Sequence, residues 1–375
     1  MIAPDKFKGS LTAADAARAI ERGVRVAWHD REIVVLPMAD GGEGTVDVFL
    51  AGGWERVRCR VRGPLGADVE AAFALSSERE PRAVVEMAAA SGLALLERAD
   101  YDPLRATTFG TGELVREALA RGARTIIVGL GGSATCDGGA GALCALGARM
   151  FDDEGRDLAL GGAALERLAE IDLRGLDPRL RGVTLVGAAD VDAPLLGPCG
   201  ASRGFAAQKG ASLADVPRLE RALCRFAEAA ATALGVDVRD DAGCGAAGGL
   251  GFALRAFLDA RLERGIDIVA DARDLSGHLA GATWCLTGEG SIDAQTLAGK
   301  TVLGVAARAR AAGARTIAFA GRVETRAVDA LAELGIVVVP IADPPLALDE
   351  SMSRAGELLE RAAARIAREL AARED

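Results

Sequence analysis

Histidine is nearly absent: the 375 residues contain two, His29 and His278. Ser-His-Asp catalysis and imidazole acid–base chemistry therefore have little to draw on. The seven cysteines form no CxxC pair, so a structural zinc site is not supported and reduced thiols are expected. No apolar run reaches membrane-spanning length, and the opening "MIAPDKFKGS" has no signal-peptide architecture. A cytoplasmic protein with no membrane partner is expected. A net charge of −10 lacks the basic footprint that nucleic acid requires, but a local cationic cleft could still take a small anion. Repeats and low-complexity tracts are also missing.

Lysine is scarce in a different way. There are four, Lys6, Lys8, Lys209 and Lys300, against forty arginines. All four fall in glycine-adjacent polar loops, "DKFKGS", "AQKGA" and "AGKT". Surface helices such as "ERAAARIARELAAR" use arginine alone, so solubility does not explain these lysines. A compact ammonium that reaches phosphate or carboxylate oxygens does.

Strand-like runs alternate with helical patterns, the signature of an α/β protein. "MIAP" reads as a very short strand, and "TAADAARAIERGVR" as a helix with Thr12 and Asp15 as a capping box. "EIVVLP" (32–37) is a second strand. "TWCLTG" (283–288), "RTIAFAG" (315–321) and "IVVVPI" (336–341) supply three more near the C-terminus. Five strands drawn from both ends suit a flavodoxin-like doubly wound parallel sheet. The middle has another texture. "DVEAAFALS" and "RAVVEMA" look like an antiparallel pair, and "GARMFDDEGRDL" like a hairpin around Asp153–Gly155. The expected organisation is a flavodoxin-like α/β domain, 1–58 plus 280–375, with a mixed-sheet α/β domain, 59–279, inserted.

Two glycine-rich stretches fit dinucleotide spacing: "GLGGSA" (Gly129, Gly131, Ala134) and "GCGAAG" (Gly243, Gly245, Gly248). The second lacks a clear preceding strand, and the first has no evident ribose-binding acid. A nicotinamide-dependent dehydrogenase is thus a secondary reading. "AQTLAGKTV" offers Gly-Lys-Thr at 299–301, but Ala294 stands where a P-loop needs its first glycine. Acid-bearing loops follow strand ends at "ADGGEGT", "AADVDAPLLG" and "TGEGSID". Asp40, Glu43, Asp190, Asp192, Glu289 and Asp293 are accordingly candidates for Mg²⁺ ligation or proton abstraction. "GASRGFAAQKGAS" places Arg203, Gln208 and Lys209 in a loop suited to clamping a small anion. From these residues alone the reading is a kinase-like or phosphate-handling enzyme, with a non-catalytic anion-binding module as a third choice.

The strings "APDKFKGSLTA", "ADGGEGT", "VRGPLG", "EMAAASGL", "TTFGTGELV", "GLGGSATCDGGAGAL", "GASRGFAAQKGA", "GAAGGLGFAL", "TGEGSID" and "GKTVLGVA" occur in order. Together they closely resemble the bacterial glycerate kinase family over almost the whole chain. The resemblance implies ATP-dependent, Mg²⁺-assisted phosphorylation of D-glycerate to 2-phospho-D-glycerate, with formation of 3-phosphoglycerate as the alternative. It implies two α/β domains and a monomer or homodimer. Residue by residue, it implies Asp190 as the base or hydroxyl-orienting group, and Lys6, Lys8 and Lys209 as neutralisers of phosphate or carboxylate charge. It also implies Ser133, Thr135 and the amides of Gly131 and Gly132 as donors to anion oxygens, with Asp137 beside them. Glu289, Asp293, Lys300 and Thr301 fall on the nucleotide–Mg²⁺ side. Four departures stand out. The first strand is shortened to "MIAPD", Cys136 replaces an asparagine in "GGSATCDGG", "FAAQKGA" loosens the loop before Lys209, and "ADVDAPL" adds Asp192.

Overall fold

The structure, a computed structural model, describes residues 1–297, 299–342, 344 and 346–372. The chain divides into two compact units, Gly41–Gly265 and a unit assembled from Met1–Asp40 with Ile266–Asp375.

The Gly41–Gly265 unit is built on a six-stranded mixed sheet and a two-stranded one. Its strands are β1 (Glu55–Arg62), β2 (Asp68–Leu75), β3 (Arg82–Glu86), β4 (Thr125–Gly129), β5 (Arg149–Asp152), β6 (Leu168–Asp172), β7 (Thr184–Ala188) and β8 (Arg261–Glu263). The larger sheet has the order β1-β2-β3-β4-β7-β8, antiparallel across β1, β2 and β3 and parallel from β3 to β8. Its parallel centre, "AVV" in β3 and "IIV" in β4, is buried, as a strand covered on both faces must be. The predicted antiparallel pair is present as β2 and β3. The expected hairpin around Asp153–Gly155 is present in short form: Phe151 and Asp157 make one antiparallel bridge, Asp152 N–H donates to Arg156 O, and Leu158 N–H donates to Met150 O. The full partner of β5 is β6. The "GCGAAG" stretch opens a helix, Ala246–Leu258, through a left-handed bend at Ala247, Gly248 and Gly249.

The other unit carries β9 (Trp284–Ile292), β10 (Arg315–Val323) and β11 (Ile336–Pro340), all parallel. Ile2 bridges Val35 on one side and Leu286 of β9 on the other, both in parallel sense. The two N-terminal strands are each reduced to a bridge; Pro4 has no N–H to continue the donation of Ile2 N–H to Val34 O, although Leu36 and Met38 still donate to Ile2 O and Pro4 O. The order is therefore second, first, third, fourth, fifth in this unit's own sequence. This is the flavodoxin-like arrangement, whose ligand crevice lies at the carboxyl ends of the first and third strands. Helix Ala13–Arg25 begins at the predicted cap: Asp15 N–H donates to Thr12 Oγ1 at 3.1 Å, and Thr12 Oγ1 donates to Asp15 Oδ2 at 2.6 Å.

The unit bounds differ from the expected divisions at 58/59 and 279/280 for a physical reason. β1 runs unbroken through residue 58, and helix Thr45–Ala51 packs on β2 and β3. At the other end, helix Leu275–Leu279 packs on helix Thr301–Ala311. No helix among the described residues is long and apolar enough to cross a membrane.

Candidate active site

In the Gly41–Gly265 unit, parallel register sets Glu86, Gly129 and Ala188 abreast at the carboxyl ends of β3, β4 and β7. The loop after Asp40 crosses these ends at backbone contact. A Cβ on Gly129 would stand 2.3 Å from Gly41 O, and one on Gly131 would stand 2.7 Å from Gly42 Cα. The glycines of "GLGGSA" thus serve a loop-on-loop contact. A dinucleotide fingerprint would instead use its second glycine for approach to pyrophosphate. In "GCGAAG", a Cβ on Gly248 would lie 1.9 Å from Thr135 O, so this turn also packs on protein.

Past the end of β4 the chain turns through Gly131 and Gly132 to Ser133. Leu93 N–H donates to Gly132 O, and Ala134 N–H donates to Ser91 O, which fixes Ser133 between two backbone bonds. Lys209 meets this turn from the short 3₁₀ helix Ala207–Lys209. Its Nζ donates to Ser133 Oγ and to Thr135 O, both at 2.8 Å, and the residue is 3 % exposed. Both acceptors are neutral, and these two bonds use two of the three ammonium donors. Burial holds the Lys209 pKa below its ordinary value, against the pull of Cys136 and Asp137.

Asp137 has another task than the expected one. It is fully buried and accepts from Thr107 Oγ1, Thr108 N and Oγ1, Gly139 N and Gly141 N, at 2.8–3.3 Å. Burial raises its pKa, and the Thr108 backbone and hydroxyl bonds oppose that rise first. Thr135 likewise turns inward, its Oγ1 donating to Ala247 O at 3.3 Å. Cys136 is buried with Ala206 and Leu219, within electrostatic reach of Lys209 and Asp137.

Asp190 follows the end of β7, where its Oδ1 accepts Gly265 N–H at 3.1 Å. Arg203 and Gln208 do not join Lys209. Both are exposed, and Arg203 Nε pairs with Glu220 Oε1 at 3.5 Å. Glu43 is exposed on the crossing loop.

In the other unit, the crevice at the first and third strands is a cavity of about 360 Å³. Lys6, Lys8, Asp40, Glu289, Asp293 and Lys300 line it. Lys6 Nζ lies 3.8 Å from Asp5 Oδ1 and 3.5 Å from Asp40 Oδ1. Burial, then repulsion from Asp40, pushes Asp5 up to about 6 against the Lys6 charge. Glu289 is pushed up to about 7, chiefly by burial, with Asp5 and Asp40 adding to the rise. Ser291 Oγ donates to Asp293 Oδ2 at 3.2 Å. Thr301 opens helix Thr301–Ala311 and spends its hydroxyl on Asp5 Oδ2. Among the described residues, no group of three or more His, Cys, Asp or Glu side chains is arranged to hold a metal ion.

Sequence reasoning passed over Asp5 and Thr296 as site residues. Thr296 Oγ1 donates to Glu289 Oε1 at 2.6 Å. The signal for Asp5 was its position directly after the first strand, in "IAPD"; Thr296 had none.

One unit has a flavodoxin-ordered sheet with carboxylates and lysines at its switch point, and the other has a glycine turn holding a buried lysine; each suits a phosphate-handling α/β enzyme without a P-loop. The comparisons are more particular. The model of the glycerate kinase family matches residues 1–371. The chain is 46 % identical over 374 residues to the glycerate 2-kinase of Escherichia coli K12, covering 99 % of this chain and 97 % of that one. It is 46 % identical over 372 residues to the glycerate kinase of Bacillus subtilis 168, covering 98 % and 96 %. A crystal structure of a Salmonella typhimurium LT2 protein assigned as a glycerate kinase 2 aligns with a TM-score of 0.88 at 46 % identity, covering 100 % and 98 %. The chain belongs to the glycerate kinase family.

Proposed function

We propose that this protein is an ATP-dependent glycerate kinase that transfers the γ-phosphoryl group to the C2 hydroxyl of D-glycerate. The observation that carries the reading is the match to a glycerate 2-kinase over 99 % of the chain. The residues available in each unit suit the chemistry. Phosphoryl transfer needs positioning, charge neutralisation and a group that takes the hydroxyl proton. Asp190 takes that role: the C2 oxygen forms its bond to the γ-phosphorus, the bond to the β-bridging oxygen breaks, and the proton passes to the carboxylate. Lys209, with Ser133 and the Gly131 and Gly132 amides, receives the substrate's anionic oxygens. Lys6, Lys8 and Lys300 balance the nucleotide phosphates, with Glu289 and Asp293 beside them.

For Mg²⁺, the carboxylates of Asp40 in one unit and of Glu43 in the other are each a hard oxygen donor of the kind the ion takes. When bound, it would offset charge on the β- and γ-oxygens. The flavodoxin-like unit is proposed as the domain formed by both chain ends, the rest as its insertion, and the cytoplasm as its location.

Phosphorus NMR of the product from ATP and D-glycerate tests the reading. A phosphate on C2 couples to one carbon-bound proton, and a phosphate on C3 to two, so a triplet pattern would overturn the regiochemistry. Asp190→Asn keeps an acceptor for Gly265 N–H and should fold normally, with kcat lowered by about 10²-fold or more. Near-normal turnover would remove Asp190 as the base.

A further inference from the structure

The cavity in the unit formed by Met1–Asp40 and Ile266–Asp375 has two chemically different walls. One carries Asp5, Lys6, Asp40, Glu289 and Lys300. The other is made by Ile341, Leu348, Met352 and Ala355, with Ser351 among them. The function proposed above uses only the charged wall.

The apolar wall is specifically built. Leu348 begins helix Leu348–Ser353 and is 68 % exposed, a large apolar side chain at the rim with little of it covered by the unit's own core. Met352 lies one helical turn on, on the same side of that helix. Its approach to the cavity depends on Gly9, which sits at φ +78°, where a Cβ would come 2.8 Å from Met352 Cε. Any side chain at Gly9 would displace the thioether as well as strain the backbone. Ile341 continues β11 past its carboxyl end, its N–H donating to Ala320 O at 2.9 Å.

Glycerate has no apolar face to cover such a wall, and neither does a free phosphate. A planar heteroaromatic ring has two. Thioethers make favourable contacts with aromatic rings, and a pocket with mixed apolar lining and a few polar groups is the usual setting for a nucleotide-sized ligand. Arg322 lines the same cavity and can stack its guanidinium on such a ring.

We propose that the Leu348–Met352 wall is the base subsite of the nucleotide, with adenine seated on it and the phosphate chain running toward Lys6 and Lys300. This rests on the reading of the protein as an ATP-dependent kinase, and deepens it by assigning the base to a particular surface. Leu348 and Met352 act in binding only and take no part in the transfer step.

The test uses the full chain and the fluorescent nucleotide mant-ADP, in wild type, Leu348→Asp and Met352→Asp, with folding checked by circular dichroism. Sodium tripolyphosphate, read by thermal shift, reports the charged wall without a base. The expected result is a mant-ADP Kd raised about tenfold or more in both variants, while tripolyphosphate stabilises all three proteins alike. Leu348 is a surface position, so Leu348→Asp keeps the test open should Met352→Asp fail to fold. Mant-ADP affinities within twofold of wild type would overturn the subsite, as would a wild type that binds tripolyphosphate but not mant-ADP. The kinase reading fails separately: wild type that binds mant-ADP through this wall but leaves D-glycerate unphosphorylated upholds the subsite and removes the function.

Discussion

Lys209 Nζ and Ser133 Oγ lie 2.8 Å apart, with Lys209 3 % and Ser133 7 % exposed. A cation held by a hydroxyl and a carbonyl in a buried site has lost much of its hydration, and the pull of Asp137 and Cys136 only partly offsets that loss. That arrangement disfavours the folded protein and favours an anion that can approach the ammonium.

Lys209→Met should therefore separate stability from activity. The variant should be at least as stable as wild type at pH 7, because an apolar chain of similar length replaces a poorly compensated buried charge. With the Lys209 pKa lowered on folding, the folded state holds its proton less tightly than the unfolded chain. The cost is full below the folded pKa and disappears as pH rises toward the unfolded value. The stability gain of Lys209→Met should shrink accordingly in urea titrations run toward pH 10. kcat/KM for D-glycerate should fall by about 10²-fold or more, the usual scale for removing one partner of a buried charge interaction.

The carboxylates of the other unit carry the opposite sign. Asp5 at about 6 and Glu289 at about 7 both bind protons more tightly folded than unfolded. Their effect on stability is most favourable below the unfolded carboxylate range, and it declines as pH rises from about 4 through 7. Glu289→Gln keeps an oxygen for Thr296 Oγ1 and removes the charge. Its Tm in metal-free buffer should exceed that of wild type at pH 8 by a few degrees, with the difference gone near pH 4. An unchanged Tm difference across that window would contradict the buried-carboxylate account.

Asp137 provides a structural contrast to Lys209. Asp137→Ala would strand the donors of Thr107, Thr108, Gly139 and Gly141 without their acceptor. A loss of about 3 kcal/mol or more in urea-measured stability is expected. A variant of native stability with weakened substrate binding would instead return Asp137 to the ligand.

Cys136→Asn installs the asparagine that the family resemblance implies at this position. Here the position faces Ala206 and Leu219, so the amide would be buried against apolar carbon. Destabilisation of about 1–3 kcal/mol is expected, read as a lower urea midpoint with an unchanged slope.

What the sequence made legible was mostly local or periodic. The Thr12 cap and the parallel strands β9 to β11 each follow from neighbouring residues. β1 carries a clear alternation in Val57, Cys59 and Val61, but the Pro and Gly of "VRGPLGA" just after it drew the expected boundary into this strand. Side-chain direction was harder to read. Arg203, Gln208 and Lys209 sit within seven residues, yet a single 3₁₀ turn sends only Lys209 inward. The bond from Thr301 to Asp5 joins residues 296 positions apart, and no local pattern encodes it. The same holds for Ser133 and Lys209, 76 apart.

The bridge from Ile2 to Leu286 also sets a timetable. A chain growing from its N-terminus releases Ile2, Asp5 and Lys6 long before β9 exists to receive them. Residues 41–265 can close their own sheet first, while the opening forty residues wait. During synthesis the apolar face of helix Ala13–Arg25 must stay uncovered until helix Ala355–Ala371, its packing partner, has emerged. The crevice that holds Asp5 is thus completed last, and an interrupted chain would hold a folded insert beside an unfolded N-terminal segment, the kind of species that aggregates.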